Sequence, residues 1–315
     1  MWARRLACLV ISAGLLSGGG GAVVAEPVAL TFDDLPTLAL DDSPRYADVT
    51  TRRLILGLRR QRLPATGFVV GDKLEGRRRA AGLGLLRRWQ AAGFDLGNHT
   101  YSHASLTTTP VAAYIADVAR DDALLRPLLK ARRQRFRWFR HPYLETGATL
   151  DAKHALEAWL ARSGYRIAPV SMENADWMFS PSYDDALRRG DKARAARVRR
   201  AYLDYTAKVT PWYREAGRQL LGRRPAFVFL LHACRLNADS IDALAAILRA
   251  NDLRPVTLTW AMKDPAYALA DDFADPKGDQ WLSRWARTLN RKLPWNTYPA
   301  PPADAEAEAR RLDPP

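Results

Sequence analysis

The sequence predicts an α/β fold, a distorted (β/α) barrel of about seven strands. Three observations predict it. Short apolar runs alternate along the chain with amphipathic stretches of helical period, the pattern of βαβ units around a parallel sheet. The runs recur between residues 28 and 258 with no linker long enough to separate two domains, which suits a closed or curled sheet better than an open one. Polar, chemically capable residues directly follow several of the runs, where an α/β barrel carries its active site.

The strands are expected at residues 28–32, 66–70, 94–96, 136–139, 166–170, 227–231 and 254–258. Each is short, apolar and rich in β-branched or aromatic residues, as a buried parallel strand requires. Helices are expected between them at 46–62, 77–92, 111–130, 150–163 and 238–250, where apolar residues recur every three or four positions. Residues 183–221 break the rhythm as a long, charged, mostly helical excursion that Pro211 should interrupt. The tail, 298–315, is rich in Pro, Ala and charge and is expected to be disordered.

Residues 1–25 pair a basic start, Arg4 and Arg5, with an apolar run from Leu6 to Leu16 and small residues at Val23 to Ala25. That run is too short to span a bilayer and matches a cleaved signal peptide. Export to the periplasm or the extracellular space is expected, with no stable membrane span after cleavage. The catalytic domain would then cover 26–297. Cleavage leaves Cys234 alone, so no internal disulfide can form, and a lone Cys in an oxidising compartment is expected to be buried. The formal charge is +14 over 315 residues. Such a balance suits an anionic neighbour: nucleic acid, a membrane surface or an acidic polymer. Export weakens the nucleic-acid reading, and Arg supplies 40 of the 48 basic residues, scattered as a composition bias would scatter them.

The strand ends carry the chemistry. The first is followed by Asp33 and Asp34; adjacent carboxylates repel unless something positive binds them, and a metal plus a base role would account for both. The third is followed by His99 and His103, a spacing that puts both imidazoles on one face of a helical turn. One carboxylate with two histidines is a three-ligand set that leaves room for water. The fourth leads into Arg140, His141, Pro142 and Tyr143, the fifth into Asp176 and Trp177, and the sixth into His232. A histidine closing a buried strand is well placed as a general acid. His141 reads as a packing residue and His154 as a surface one.

This set resembles the polysaccharide deacetylase family, the NodB-homology proteins of carbohydrate esterase family four, over roughly residues 27–260. Thr31-Phe32-Asp33-Asp34 is similar to the first family motif, His99 to His103 to the second, Arg140 to Tyr143 to the third, Asp176-Trp177 to the fourth and Leu231-His232 to the fifth. The resemblance implies Asp33 as catalytic base and Asp34, His99 and His103 as metal ligands. It implies Arg140 holding the base, the Tyr143 N–H in the oxyanion hole, His232 as general acid, Asp176 beside it and Trp177 as a substrate wall. A divalent metal is implied as cofactor, zinc ahead of cobalt, nickel or manganese. The implied reaction is hydrolysis of N- or O-acetyl groups on a polysaccharide or oligosaccharide. No nucleic acid and no obligatory protein partner are expected. Ala233, where many members carry Asp, and His141, where Pro is common, depart from the pattern. These two bear on substrate range and rate and leave the metal and base assignments intact. Two other readings share the residues: a hydrolase of another non-peptide C–N bond on the same fold, and a catalytically silent carbohydrate-binding protein.

Overall fold

The structure, a computed structural model, describes residues 25–41, 43–134 and 137–313. Residues 1–24 of the expected signal peptide and residue 136 of the expected fourth strand lie outside them. The strands are β1 (Glu26–Leu35), β2 (Ala65–Val69), β3 (Asp95–Asn98), β4 (Arg137–Phe139), β5 (Tyr165–Ile167), β6 (Met172–Glu173), β7 (Phe227–His232) and β8 (Leu253–Pro255). The helices are α1 (Pro44–Arg60), α2 (Arg79–Ala91), α3 (Val111–Ala131), α4 (Leu150–Arg162), α5 (Asp176–Arg188), α6 (Lys192–Leu221), α7 (Arg235–Ala250), α8 (Leu258–Ala261), α9 (Trp281–Thr288) and α10 (Ala303–Leu312).

The strands form one parallel sheet in the order β5-β4-β3-β2-β1-β7-β6, with β8 added beside the first residues of β1. The α/β barrel reading holds. β5 and β6 are consecutive in the chain yet sit at opposite ends of the sheet. Five residue steps join Ile167 to Met172, a reach of at most about 18 Å. The sheet must therefore curl until its edges approach, as a distorted barrel.

Strand alternation sorts the core into two layers. Val28, Leu30 and Phe32 of β1 and Phe227, Phe229 and Leu231 of β7 pack outward against the helices. Ala29, Phe68, Trp138, Ala168 and Val228 fill the inside of the curl. The same parity carries Thr31 and Asp33 inward at the end of β1. His232 is the register partner of Asp33 at the end of β7, so two strand ends deliver both groups to one place.

Four elements differ from the sequence reading. The strand expected at 166–170 is realised only as β5, to Ile167, because residues 168–171 make the crossing to a further short strand, β6. The last expected strand pairs only over Leu253–Pro255, and Thr257 then caps α8 by accepting from the Trp260 N–H. Pro211 lies inside α6 without ending it. The buried face of that 30-residue helix, including Tyr202, Tyr205, Val209, Trp212, Ala216 and Leu220, outweighs one lost hydrogen bond and a ring clash. Residues 303–312, expected to be disordered, form α10, which packs on α5 with Ala309 buried and Glu308 2.6 Å from Arg194. Cys234 is free and buried, as expected.

Candidate active site

Asp33 and Asp34 end β1, both buried. Asp34 has φ +66, a left-handed turn that redirects its side chain from the strand's alternation. His99 and His103 follow β3, but not on a helical turn as the spacing suggested. The loop has left-handed residues at Thr100 (φ +65) and His103 (φ +54). It is pinned by Asn98 Oδ1 accepting from the Thr100 N–H and by Asp117 accepting from the Tyr101 and Ser102 N–H groups. The two imidazole rings still meet, 4.9 Å apart at their centroids.

Ligand atoms converge. His99 Nδ1 donates to the Arg140 carbonyl at 2.9 Å, which leaves Nε2 with its lone pair free. That Nε2 lies 3.9 Å from Asp34 Oδ1, and His103 Nε2 lies 3.6 Å from the same oxygen. Asp34 Oδ1 is buried and accepts no hydrogen bond. The three ligand atoms lie within 4.8 Å of one another. A tetrahedral cation with bonds of about 2.1 Å sets its ligand atoms about 3.4 Å apart, so the residues fit a divalent cation such as zinc. Burial, reinforced by His103, pushes the His99 pKa well below its ordinary value, and burial lowers that of His103. Both are thus neutral, as ligands must be. Burial alone would raise the Asp34 carboxyl, but the charges of Lys73 and His232 hold it well below the usual carboxylate range.

The base and acid candidates flank this cluster. Asp33 Oδ2 lies 3.7 Å from His99 Nε2, and Asp33 Oδ1 lies 3.9 Å from Arg140 Nε. Arg140 is fully buried, donates from Nη2 to Thr31 Oγ1 at 2.8 Å and stacks its guanidinium over Phe68. Burial pushes the Asp33 carboxyl up to about 6, against the pull of Arg140 and His232. His232 Nδ1 is 2.7 Å from Asp176 Oδ1, and the His232 backbone N–H donates to Asp176 Oδ2 at 2.6 Å. Burial would lower this imidazole, but Asp176, with Asp34 and Asp33 behind it, raises it to about 9. Asp176 is the first residue of α5, presented by left-handed Ala175.

Two aromatic side chains stand open to solvent here. Tyr143 is 57% exposed, with its ring 4.5 Å from that of His103. Trp177, second in α5, is 40% exposed. His141 is outside the ligand set: it is buried edge-on against Phe139, and burial with Arg284, Lys153 and Arg140 drives its pKa to about 3. His154 is exposed. Every residue singled out for the metal, base and acid roles is therefore in one cluster.

Two neighbours escaped the sequence reading. Lys73, four residues past β2, sets its Nζ 3.7 Å from Asp34 Oδ2 and donates to the Asp34 and Thr37 carbonyls at 3.4 and 3.3 Å. The two carboxylate oxygens of Asp34 are thereby divided, one facing Lys73 and one the histidines. Asn237, in the first turn of α7, donates to Asp176 Oδ2 and to the His232 carbonyl. A polar residue just past β2 was a usable signal for Lys73; nothing marked Asn237.

Residues 21–159 match the family model described as polysaccharide deacetylase. No match is found among curated proteins. Among solved structures, the chitin deacetylase of Colletotrichum lindemuthianum is 22% identical, with a TM-score of 0.49, covering 75% of this chain and 88% of that one. The family 4 carbohydrate esterase of Streptomyces lividans is 21% identical, with a TM-score of 0.48, covering 75% and 95%. A peptidoglycan deacetylase of Bacillus subtilis is 18% identical, with a TM-score of 0.47, covering 76% and 91%. Residues 21–159 are thus similar to the polysaccharide deacetylase family, the one that the motifs resemble.

Proposed function

We propose that the protein is an exported, metal-dependent hydrolase that removes N- or O-acetyl groups from a glycan. The observation that carries this reading is the buried, unpartnered Asp34 Oδ1 facing His99 and His103 Nε2, with Asp33 on one side and His232 nearby. Export rests on the pattern of residues 1–25; among the described residues no helix is long and apolar enough to cross a membrane.

Asp34, His99 and His103 would hold a divalent cation, most naturally zinc, which when bound activates a water and polarises the acetyl carbonyl. Asp33 takes the water's proton. A carboxyl near 6 is basic enough for this and is still largely ionised at neutral pH. Arg140 keeps it in place and counters its charge. The Tyr143 N–H donates to the developing oxyanion. His232, charged up to about pH 9 through Asp176, gives its Nε2 proton to the departing amine or alkoxide. Trp177 and the Tyr143 ring offer apolar faces to a sugar ring or its acetyl methyl.

The test is acetate release from a panel of acetylated glycans by chelated and zinc-restored enzyme. The reading requires release that the chelator abolishes and zinc restores. Reducing ends generated without acetate would instead support cleavage of glycosidic bonds.

A further inference from the structure

The segment after α8 belongs to no motif and lies beyond the family match, yet it grips the loop that carries Tyr143. We propose that residues 271–280, locked by Arg284, are a brace that positions Tyr143 for the reaction, an inference that rests on the deacetylase reading above.

Tyr143 (φ +55, ψ +9) and Leu144 (φ +58) are consecutive non-glycine residues in the left-handed region. Such a pair is costly and persists only where surrounding contacts over-determine it. The contacts come from the segment 271–280. The Thr146 N–H donates to the Asp275 carbonyl at 3.0 Å, and the Asp275 N–H donates back to Thr146 Oγ1 at 3.1 Å. Asp275 is buried, and its carboxylate gathers the N–H groups of Lys277, Gly278 and Asp279 at 3.0–3.2 Å. Arg284 of α9, 1% exposed, donates to Asp275 at 2.9 Å, to Thr146 Oγ1 at 3.1 Å and to Asp271 at 2.6 Å. One buried guanidinium thus ties both partners of the clasp together. The segment also reaches the histidine loop, where Thr107 Oγ1 donates to the Pro276 carbonyl at 3.1 Å.

Gly278 makes the closest approach. It has φ +77, and a Cβ there would overlap the Tyr143 carbonyl oxygen and lie 3.0 Å from its carbon. Only glycine lets this backbone press against the peptide that follows the Tyr143 N–H. The Asp275 hydrogen bonds set the turn that brings Gly278 there. Tyr143 is thereby clamped between the brace and His103, whose ring its own ring meets. Its N–H and its exposed ring keep a fixed position relative to Asp34, His99 and His103.

The experiment compares Gly278→Ala with Gly84→Ala, a helical glycine whose added methyl meets nothing within 4 Å. Three readouts are taken on the full mature chain: kcat and KM for acetate release, zinc affinity by calorimetry, and hydrogen exchange of the peptide 141–147. Misplacing a positioned group by about 1 Å costs about 10²-fold in rate. Gly278→Ala should lose about that much in kcat, keep zinc affinity within about threefold, and exchange faster in 141–147 alone. Asp275→Asn should move the same readouts in the same direction, and Gly84→Ala none. Unchanged kcat and exchange in Gly278→Ala would overturn the brace. So would a parallel fall in zinc affinity with faster exchange throughout the chain, which would mark a general folding role. If wild type released no acetate with zinc bound, the deacetylase reading would fail, and the exchange pattern alone would still decide the clamp on Tyr143.

Discussion

Asp176→Asn isolates one interaction. Asparagine keeps the shape and an acceptor for the His232 N–H while removing the charge that faces Nδ1 at 2.7 Å. In the native site the imidazole is raised from its ordinary 6.5 to about 9, largely by Asp176 acting against burial. A shift of that size corresponds to about 3 kcal/mol of preference for the imidazolium. A raised pKa keeps the acid charged as pH rises, so activity that needs a proton on His232 is lost through about pH 9 in wild type. Without the carboxylate, burial pulls the group back to or below its ordinary value. At pH 8 the protonated fraction then falls from about 0.9 to about 0.03, a loss of roughly 30-fold in turnover. At pH 5.5 much of that loss should disappear. The assay is kcat for acetate release from pH 5 to 10 with saturating substrate and zinc. An alkaline limb at the same pH in both proteins would refute the assignment of His232 as the acid that Asp176 sustains.

Three further outcomes follow from the same geometry. Asp33→Asn should bind zinc as tightly as wild type by calorimetry but turn over about 10²–10⁴-fold more slowly, the usual worth of a general base. His99→Ala removes one of three cation ligands, so calorimetry should show zinc affinity lost together with acetate release. Trp177→Ala exposes no core and should leave the melting temperature within a few degrees, while KM for oligosaccharides rises about fivefold, matching about 1 kcal/mol of aromatic contact; an unchanged KM would remove Trp177 from the substrate site.

The strands were legible because buried parallel strands read as uninterrupted apolar runs, and a polar residue at the end of such a run must face the sheet's edge. Asp33, Asp34, His99, His103 and His232 all stand there. What escaped depends on contacts between distant segments. The His99–His103 pair meets through two left-handed backbone residues, not through helical spacing. Pro211 is tolerated because α6 buries a long apolar face, and propensity at one position yields to packing along thirty. Residues 303–312 have the composition of a disordered tail but find a partner surface on α5. Asn237, Asp275 and Arg284 reach the site only through the fold, from positions whose neighbours in sequence carry no pattern, whereas Lys73 stood just past β2 and could have been read.

Acetate release by the mature chain from acetylated chitin-type, peptidoglycan, xylan and exopolysaccharide substrates tests the central claim most directly. With zinc restored after chelation, at least one of these glycans should lose acetate, and the chelated protein should release none. Release of the same amount of acetate with the cation stripped, or none from any glycan with the cation bound, would contradict the account.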